Sequence, residues 1–131
     1  MDTCAVLWLA NGDPMAGAAL AAIRAAQALD AAFVSPITAW EIRTKVAKRR
    51  LRLDLDSEAW FGRFLGLPGI RLAELTPRVL VASTVLPGRP PADPGDRIVI
   101  ATARAMGAPV VTRDRQIRPY AGAGHVRAVP C

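Results

Sequence analysis

The chain has 131 residues, enough for one domain with a core that needs neither disulfides nor a structural metal. Seventeen Lys+Arg against eleven Asp+Glu leave a net charge of +6, and fifteen of the bases are arginine, whose planar fork suits phosphate, so nucleic acid is a reasonable partner. The 52% hydrophobic content does not imply a membrane span: no stretch free of Asp, Glu, Lys and Arg exceeds ten residues, against the ~18 a spanning helix needs. Cys4 and Cys131 lie at opposite ends with no C-x-x-C pair, which excludes a disulfide scaffold or zinc site and makes a reducing cytoplasm the expected location. The apolar opening carries Asp2 where a secretory signal would carry Lys or Arg.

In chain order, Asp2 precedes an apolar run that ends at the turn Asn11-Gly12-Asp13-Pro14. Asp13-Pro14 reads as a cap and first turn, so the alanine-rich run to residue 29 is a predicted helix. Residues 31–34 form a short strand, and Ser35-Pro36 opens a helix through Trp40 and Glu41 to about residue 50. A third helix covers 57–65 and stops at Leu67-Pro68-Gly69; 70–75 alternates as a strand. Thr76-Pro77 caps a helix that ends before Pro87, and 87–95 is a Pro/Gly loop. Residues 96–106 are helical with Gly107 as the stop, 109–112 is a buried apolar strand, and 126–129 is the last strand. Strands alternating with helices imply a single α/β domain over 1–131, three layers α/β/α around a central parallel sheet. Ligands of such sheets lie beyond the carboxyl ends of the strands, which directs attention to the acids there.

Four acids stand in apolar or capped settings where a solvated charge is not expected: Asp2, Glu41, Asp96 and Asp114. Each has a purely structural alternative. Asp2 can cap the first helix, Glu41 can pair with Lys45 one turn on, and Asp114 can be a turn residue. Asp93 and Asp96 are two acids within four residues, so one is a cap and the other is spare. Together they fall at one edge of the sheet, and clustered carboxylates repel unless a cation sits between them. Oxygen ligation without His or Cys favours Mg²⁺, with Mn²⁺ as a substitute, over zinc.

Asp2-Thr3-x-Ala5-x-Leu7-Trp8, Ser35-x-x-x-x-Trp40-Glu41-Ile42 followed by Lys45 and Lys48, Asp93-Pro94-x-Asp96-Arg97-x-x-Ile100-Ala101-x-Ala103, and Val110-Val111-Thr112-x-Asp114 together resemble the PIN-domain family, and within it the VapC branch of toxin-antitoxin ribonucleases. The resemblance spans nearly the whole chain, and its two C-terminal motifs are the most specific. It implies metal-binding catalytic acids at Asp2, Glu41, Asp96 and Asp114, supporting hydroxyls at Thr3 and Thr112, and an accessory loop anchor at Asp93. It also implies Mg²⁺-dependent endonucleolytic cleavage of RNA (tRNA or ribosomal RNA being typical targets), a homodimer and a VapB-like antitoxin. The pattern departs from the family twice: only Met1 precedes the first Asp, where the family has an apolar strand, and Gly95 stands where the family has Phe.

Six of the ten residues 43–52 are basic, either as a solvated helix face or as a track for RNA phosphates. Lys45, Lys48, Arg97, Arg113 and Arg115 are the expected RNA contacts, the arginines lying next to the acids, which they could also simply balance. Trp60, Phe61 and Phe64 share one side of a short helix, which favours a core stripe over an anchor for the antitoxin. The reading from another class is a catalytically silent PIN-like module that binds RNA or protein.

Overall fold

The computed structural model describes residues 1–131. Its elements are α1 (Thr3–Asn11), α2 (Gly17–Ala28), β1 (Ala32–Val34), α3 (Ile37–Ala47), α4 (Ser57–Leu65), β2 (Ile70–Leu72), α5 (Pro77–Thr84), α6 (Pro94–Ala105), β3 (Val110–Thr112), α7 (Ile117–Gly122) and β4 (Ala128–Pro130). The order and the parallel pairing are those expected of an α/β domain. No helix is long and apolar enough to cross a membrane.

The strands form two parallel pairs rather than one continuous sheet, β1 with β2 and β3 with β4. What joins them is the amino terminus. The Met1 amino group donates to the Phe33 carbonyl at 2.9 Å, and the Asp2 N–H donates to the Val111 carbonyl at 3.1 Å. Two residues thus bridge the pairs, and they fix Asp2 at the carboxyl ends of β1 and β3. α2 packs against both β1 and β4 and ties the pairs together a second time.

Packing follows the patterning. Val34, Ile42, Phe61, Phe64 and Ile70 form one buried cluster, and Ile100, Val110, Ile117 and Tyr120 another. A fully buried side chain of this size contributes about 1.5–3 kcal/mol, so Ile42, Ile100 and Ile117 anchor α3, α6 and α7. Trp60 stacks on Phe64 at 6.0 Å and both are buried, so that stripe belongs to the core and offers no exposed anchor. Trp40, which precedes Glu41, is the aromatic left 62% exposed.

Several boundaries differ from expectation: β2 ends at Leu72, α3 at Ala47, and β4 covers Ala128–Pro130, and for three further differences the reason is identifiable. Asp13 does not open α2: its N–H bonds the Trp8 carbonyl at 2.9 Å while Gly12, at φ 71°, takes the left-handed position, so the pair closes α1. α2 begins at Gly17 with no side-chain cap. α6 starts at Pro94, two residues early, because Asp93 caps it. α7 is a short helix the sequence did not announce, since Pro119 lies inside it; Asp114 opens it. The Pro/Gly loop is pinned by the Tyr120 hydroxyl, which donates to the Pro87 carbonyl at 2.8 Å, and by His125 lying over Gly88.

Candidate functional site

Seven polar side chains are buried. Ser83 and Thr102 bond carbonyls of their own helices and Ser35 receives the Ile37 N–H. The remaining four form two hydrogen-bonded pairs, Asp2 with Thr112 and Thr3 with Thr38. Thr112 donates its hydroxyl to Asp2 Oδ2, and Asp2 Oδ1 receives the Ala5 N–H at 2.7 Å, so Asp2 caps α1 and faces the site at once. Thr3 donates to Glu41 Oε2 and its hydroxyl lies 3.4 Å from that of Thr38, one turn before Glu41 on α3. Buried hydroxyls need partners, and here these partners are the carboxylates.

α6 brings the next two acids. Asp93 Oδ1 accepts the Gly95 and Asp96 N–H groups at 2.8 and 3.2 Å and is consumed as the helix cap. Asp96, in the first turn of the same helix, has no hydrogen bond to its carboxylate from any protein group. Asp114 uses Oδ1 to receive the Gln116 and Ile117 N–H groups, while its own N–H donates to the Thr112 hydroxyl at 2.9 Å. Thr112 therefore links Asp2 to Asp114. Gly95 permits the approach of α3: a Cβ there would lie 2.5 Å from Glu41 Oε1 and 3.0 Å from Asp93 Oδ1.

The acids sense one another. Asp96 is pushed up to about 7, first by burial and then by the charges of Asp114, Asp93, Glu41 and Asp2. Burial raises Asp2 too, opposed by its bonds from Thr112 and Ala5. It likewise raises Glu41, opposed by Thr3 and by Lys45. The two ion pairs of the molecule, Arg63 with Asp54 and Arg71 with Asp30, lie elsewhere, so no base neutralises the cluster by direct contact.

A repulsive group of carboxylate oxygens fits a hard divalent cation. No three of the His, Cys, Asp or Glu side chains converge tightly enough to cage an ion by themselves. A Mg²⁺ there would keep several waters, and the four carboxylates would bind it directly or through them. The Asp96 carboxylate, unbonded within the protein, is the donor most free to do so.

The bases divide into several settings. Arg97 follows Asp96 on α6, and its Nε is buried without a hydrogen-bond partner. Lys45 lies close enough to Glu41 and Cys4 to favour their ionised forms, and Lys48 is exposed at the end of α3. Arg113 departs from expectation. Its guanidinium lies 3.4 Å over the Trp8 ring and its Nε donates to the Cys131 carbonyl at 3.0 Å, so it holds the carboxyl terminus against α1. Arg115 lies with Arg118 and Arg127 around an open basic concavity beside β4. The sequence reading passed over Thr38, Arg118 and Arg127, and it noted Gly95 only as a departure from the family pattern. The spacing of Thr38 three residues before Glu41 was the available signal for the first.

The PIN domain family matches residues 1–123 of the chain. Ribonuclease VapC22 of Mycobacterium tuberculosis is 30% identical over 101 residues, 77% of this chain and 76% of that protein. No solved structure matches this chain.

Proposed function

This chain belongs to the PIN-domain family, and on that premise we propose that it is a Mg²⁺-dependent endoribonuclease, the toxin of a VapBC-type pair, with Asp2, Glu41, Asp96 and Asp114 as its catalytic acids. The observation that carries the reading is the state of Asp96: half-buried, free of internal hydrogen bonds, and pushed up to about 7 by burial first and then by four neighbouring carboxylates. Acids kept in mutual repulsion destabilise a fold, and a function that needs a cation there accounts for them.

Asp2, Glu41, Asp96 and Asp114 would hold the Mg²⁺ (or Mn²⁺), which when bound supplies Lewis acidity toward the scissile phosphate and lowers the pKa of water for in-line hydrolysis. The protein's own part is positioning. Thr112 and Thr3 fix the Asp2 and Glu41 carboxylates by donating to one oxygen of each. Asp93 and Asp114 hold the amino ends of α6 and α7 at the site. Arg97, half-buried next to Asp96, would contact a phosphate, and Lys45 and Lys48 extend the positive track along α3.

RNA, with tRNA or ribosomal RNA as typical targets, is the substrate proposed, a VapB-like antitoxin the partner, a homodimer the assembly and the cytoplasm the location. The test is incubation of the purified chain with a structured RNA in Mg²⁺ and in EDTA. Cleavage restricted to Mg²⁺ is expected. Intact RNA under both conditions favours the silent binding module.

A further inference from the structure

The basic concavity beside β4 has no part in the acid cluster, and its lining sets it apart from the rest of the surface. It is open, about 980 Å³ in volume, and draws its charge from Arg115, Arg118 and Arg127, with no carboxylate and no aromatic ring among its walls. All three arginines are exposed. Arg115 and Arg118 enter no ion pair, since the two of the molecule join Arg63 to Asp54 and Arg71 to Asp30. Arg127 is held at one point, donating through Nη2 to the Gly107 carbonyl, and the rest of its fork is left for another acceptor. Cations gathered without a counter-charge repel one another, and an anion laid along them offsets that repulsion.

The concavity adjoins the acids at one end. Arg115 directly follows Asp114, and Arg118 lies one turn further, its N–H donating to the Asp114 carbonyl at 3.2 Å. Residues three apart share a helix face, so the two guanidinium groups start from the same side of this turn. Arg127 stands at the opposite end, just before β4 and bonded to Gly107, which precedes β3. The concavity therefore follows β4 from the carboxyl ends of the strands, where the acids are, to their amino ends. Three residues of strand make that run roughly 10 Å long.

An added strand fits this surface poorly. β4 pairs with β3 alone, and the Arg127 carbonyl and Cys131 N–H both point to β3, so alternation turns Ala128 and Pro130 to the outer edge. Pro130 has no N–H, and proline on an edge blocks further pairing. Apart from the arginines the walls are proline, glycine, alanine and valine, which form no deep pocket for the large apolar anchor of a protein partner. Guanidinium forks matched to phosphate oxygens remain as the recognising chemistry.

We propose that this concavity is a second RNA-contact surface, gripping the phosphate backbone on one side of the bond presented to the acids. RNA as the ligand rests on the nuclease reading of the acid cluster. With no ring for a base to stack on, the grip is on phosphates and is indifferent to base sequence.

The experiment measures filter binding of two single-stranded RNAs of unrelated sequence, each about 20 nucleotides long, in EDTA over a series of salt concentrations. Wild type is compared with Arg115→Gln/Arg118→Gln and with Arg115→Lys/Arg118→Lys, exposed positions at which substitution spares the fold. The glutamine form is expected to bind both RNAs at least about tenfold more weakly at low salt. Its slope of log affinity against log salt is expected to fall by about 1.4, ~0.7 for each lost phosphate contact. The lysine form keeps both charges and is expected to stay within about threefold of wild type. Equal affinity and slope for wild type and the glutamine form overturn the proposal, as does a loss confined to one of the two sequences. Wild type that binds polyglutamate through these arginines but binds no RNA also overturns it, in favour of an acidic protein segment. Because binding is read without metal, arginine-dependent binding by a chain that never cleaves sustains this inference while the nuclease reading fails. Mg²⁺-dependent cleavage with arginine-independent binding gives the reverse.

Discussion

The Thr112 hydroxyl donates to the Asp2 carboxylate across 110 positions of sequence. This one bond joins the end of β3 to the bridge between the strand pairs, and the same hydroxyl receives the Asp114 N–H. Thr112→Val keeps the shape and removes both interactions. Asp2 loses a bond that favours its ionised form, so its pKa rises further. A loss of about 1–3 kcal/mol in urea unfolding is expected, with reduced cleavage. Wild-type stability in that variant contradicts the role given to Thr112.

The acid cluster sets the direction of pH dependence. Asp96 moves from 3.8 to about 7 on folding, and Asp2 and Glu41 shift upward as well. The folded state then binds more protons than the unfolded state between about pH 4 and 7, so stability is highest at the acid end and falls as pH rises through that window. In EDTA the Tm is expected to be higher at pH 5 than at pH 8. Asp96→Asn flattens the difference, and Mg²⁺ at pH 8 restores the Tm by binding only the folded state. A Tm that rises from pH 5 to pH 8 in EDTA argues against the cluster.

Gly95 lets the Glu41 carboxylate lie against the first turn of α6. In Gly95→Ala the methyl group displaces that carboxylate, the far end of a flexible side chain, while alanine favours the helix by up to about 1 kcal/mol. Stability is expected to hold or rise. Cleavage is expected to fall about 10–100-fold, the scale of a displaced catalytic group. Unchanged cleavage removes Glu41 from the site.

Arg97 and Arg113 separate contact with RNA from support of the fold. Arg97→Gln is expected to weaken RNA binding and to reduce the slope of log affinity against log salt by ~0.7, one phosphate contact on a single strand. Arg113→Gln loses the Trp8 stacking and the Cys131 bond, so it lowers the unfolding midpoint while leaving the salt slope unchanged. Reversal of these two outcomes, read by filter binding at several salt concentrations, exchanges the roles.

Local chemistry was readable where the deciding contacts are local. The helix at 57–65 was found as it stands because Asp56 accepts from Glu58 and Ala59 and a Pro/Gly turn follows. That one of Asp93 and Asp96 caps a helix was legible because such bonds span only three residues, while the choice of Asp93 came from the family resemblance. Asp13 misled because it has two local uses, and closing α1 around Gly12 prevailed over opening α2. α7 was hidden by Pro119, although Asp114 carried the capping chemistry. What sequence spacing could not supply is long-range: the bridging of β1 and β3 by Met1 and Asp2, the Thr3–Glu41 bond, and the pairing of Arg113 with Trp8. The four acids stood out for their apolar settings, whereas Thr38, uncharged, did not, and Gly95 showed only as a missing aromatic.

The central claim is that the carboxylates gathered around Asp96 serve metal-dependent RNA hydrolysis. Cleavage of one RNA by wild type and by Asp96→Asn, each shown to be folded by circular dichroism and each assayed in Mg²⁺ and in EDTA, tests it most directly. The prediction is cleavage by wild type in Mg²⁺ alone and none by the folded variant under either condition. Full Mg²⁺-dependent cleavage by Asp96→Asn, or wild-type cleavage undiminished in EDTA, would contradict it.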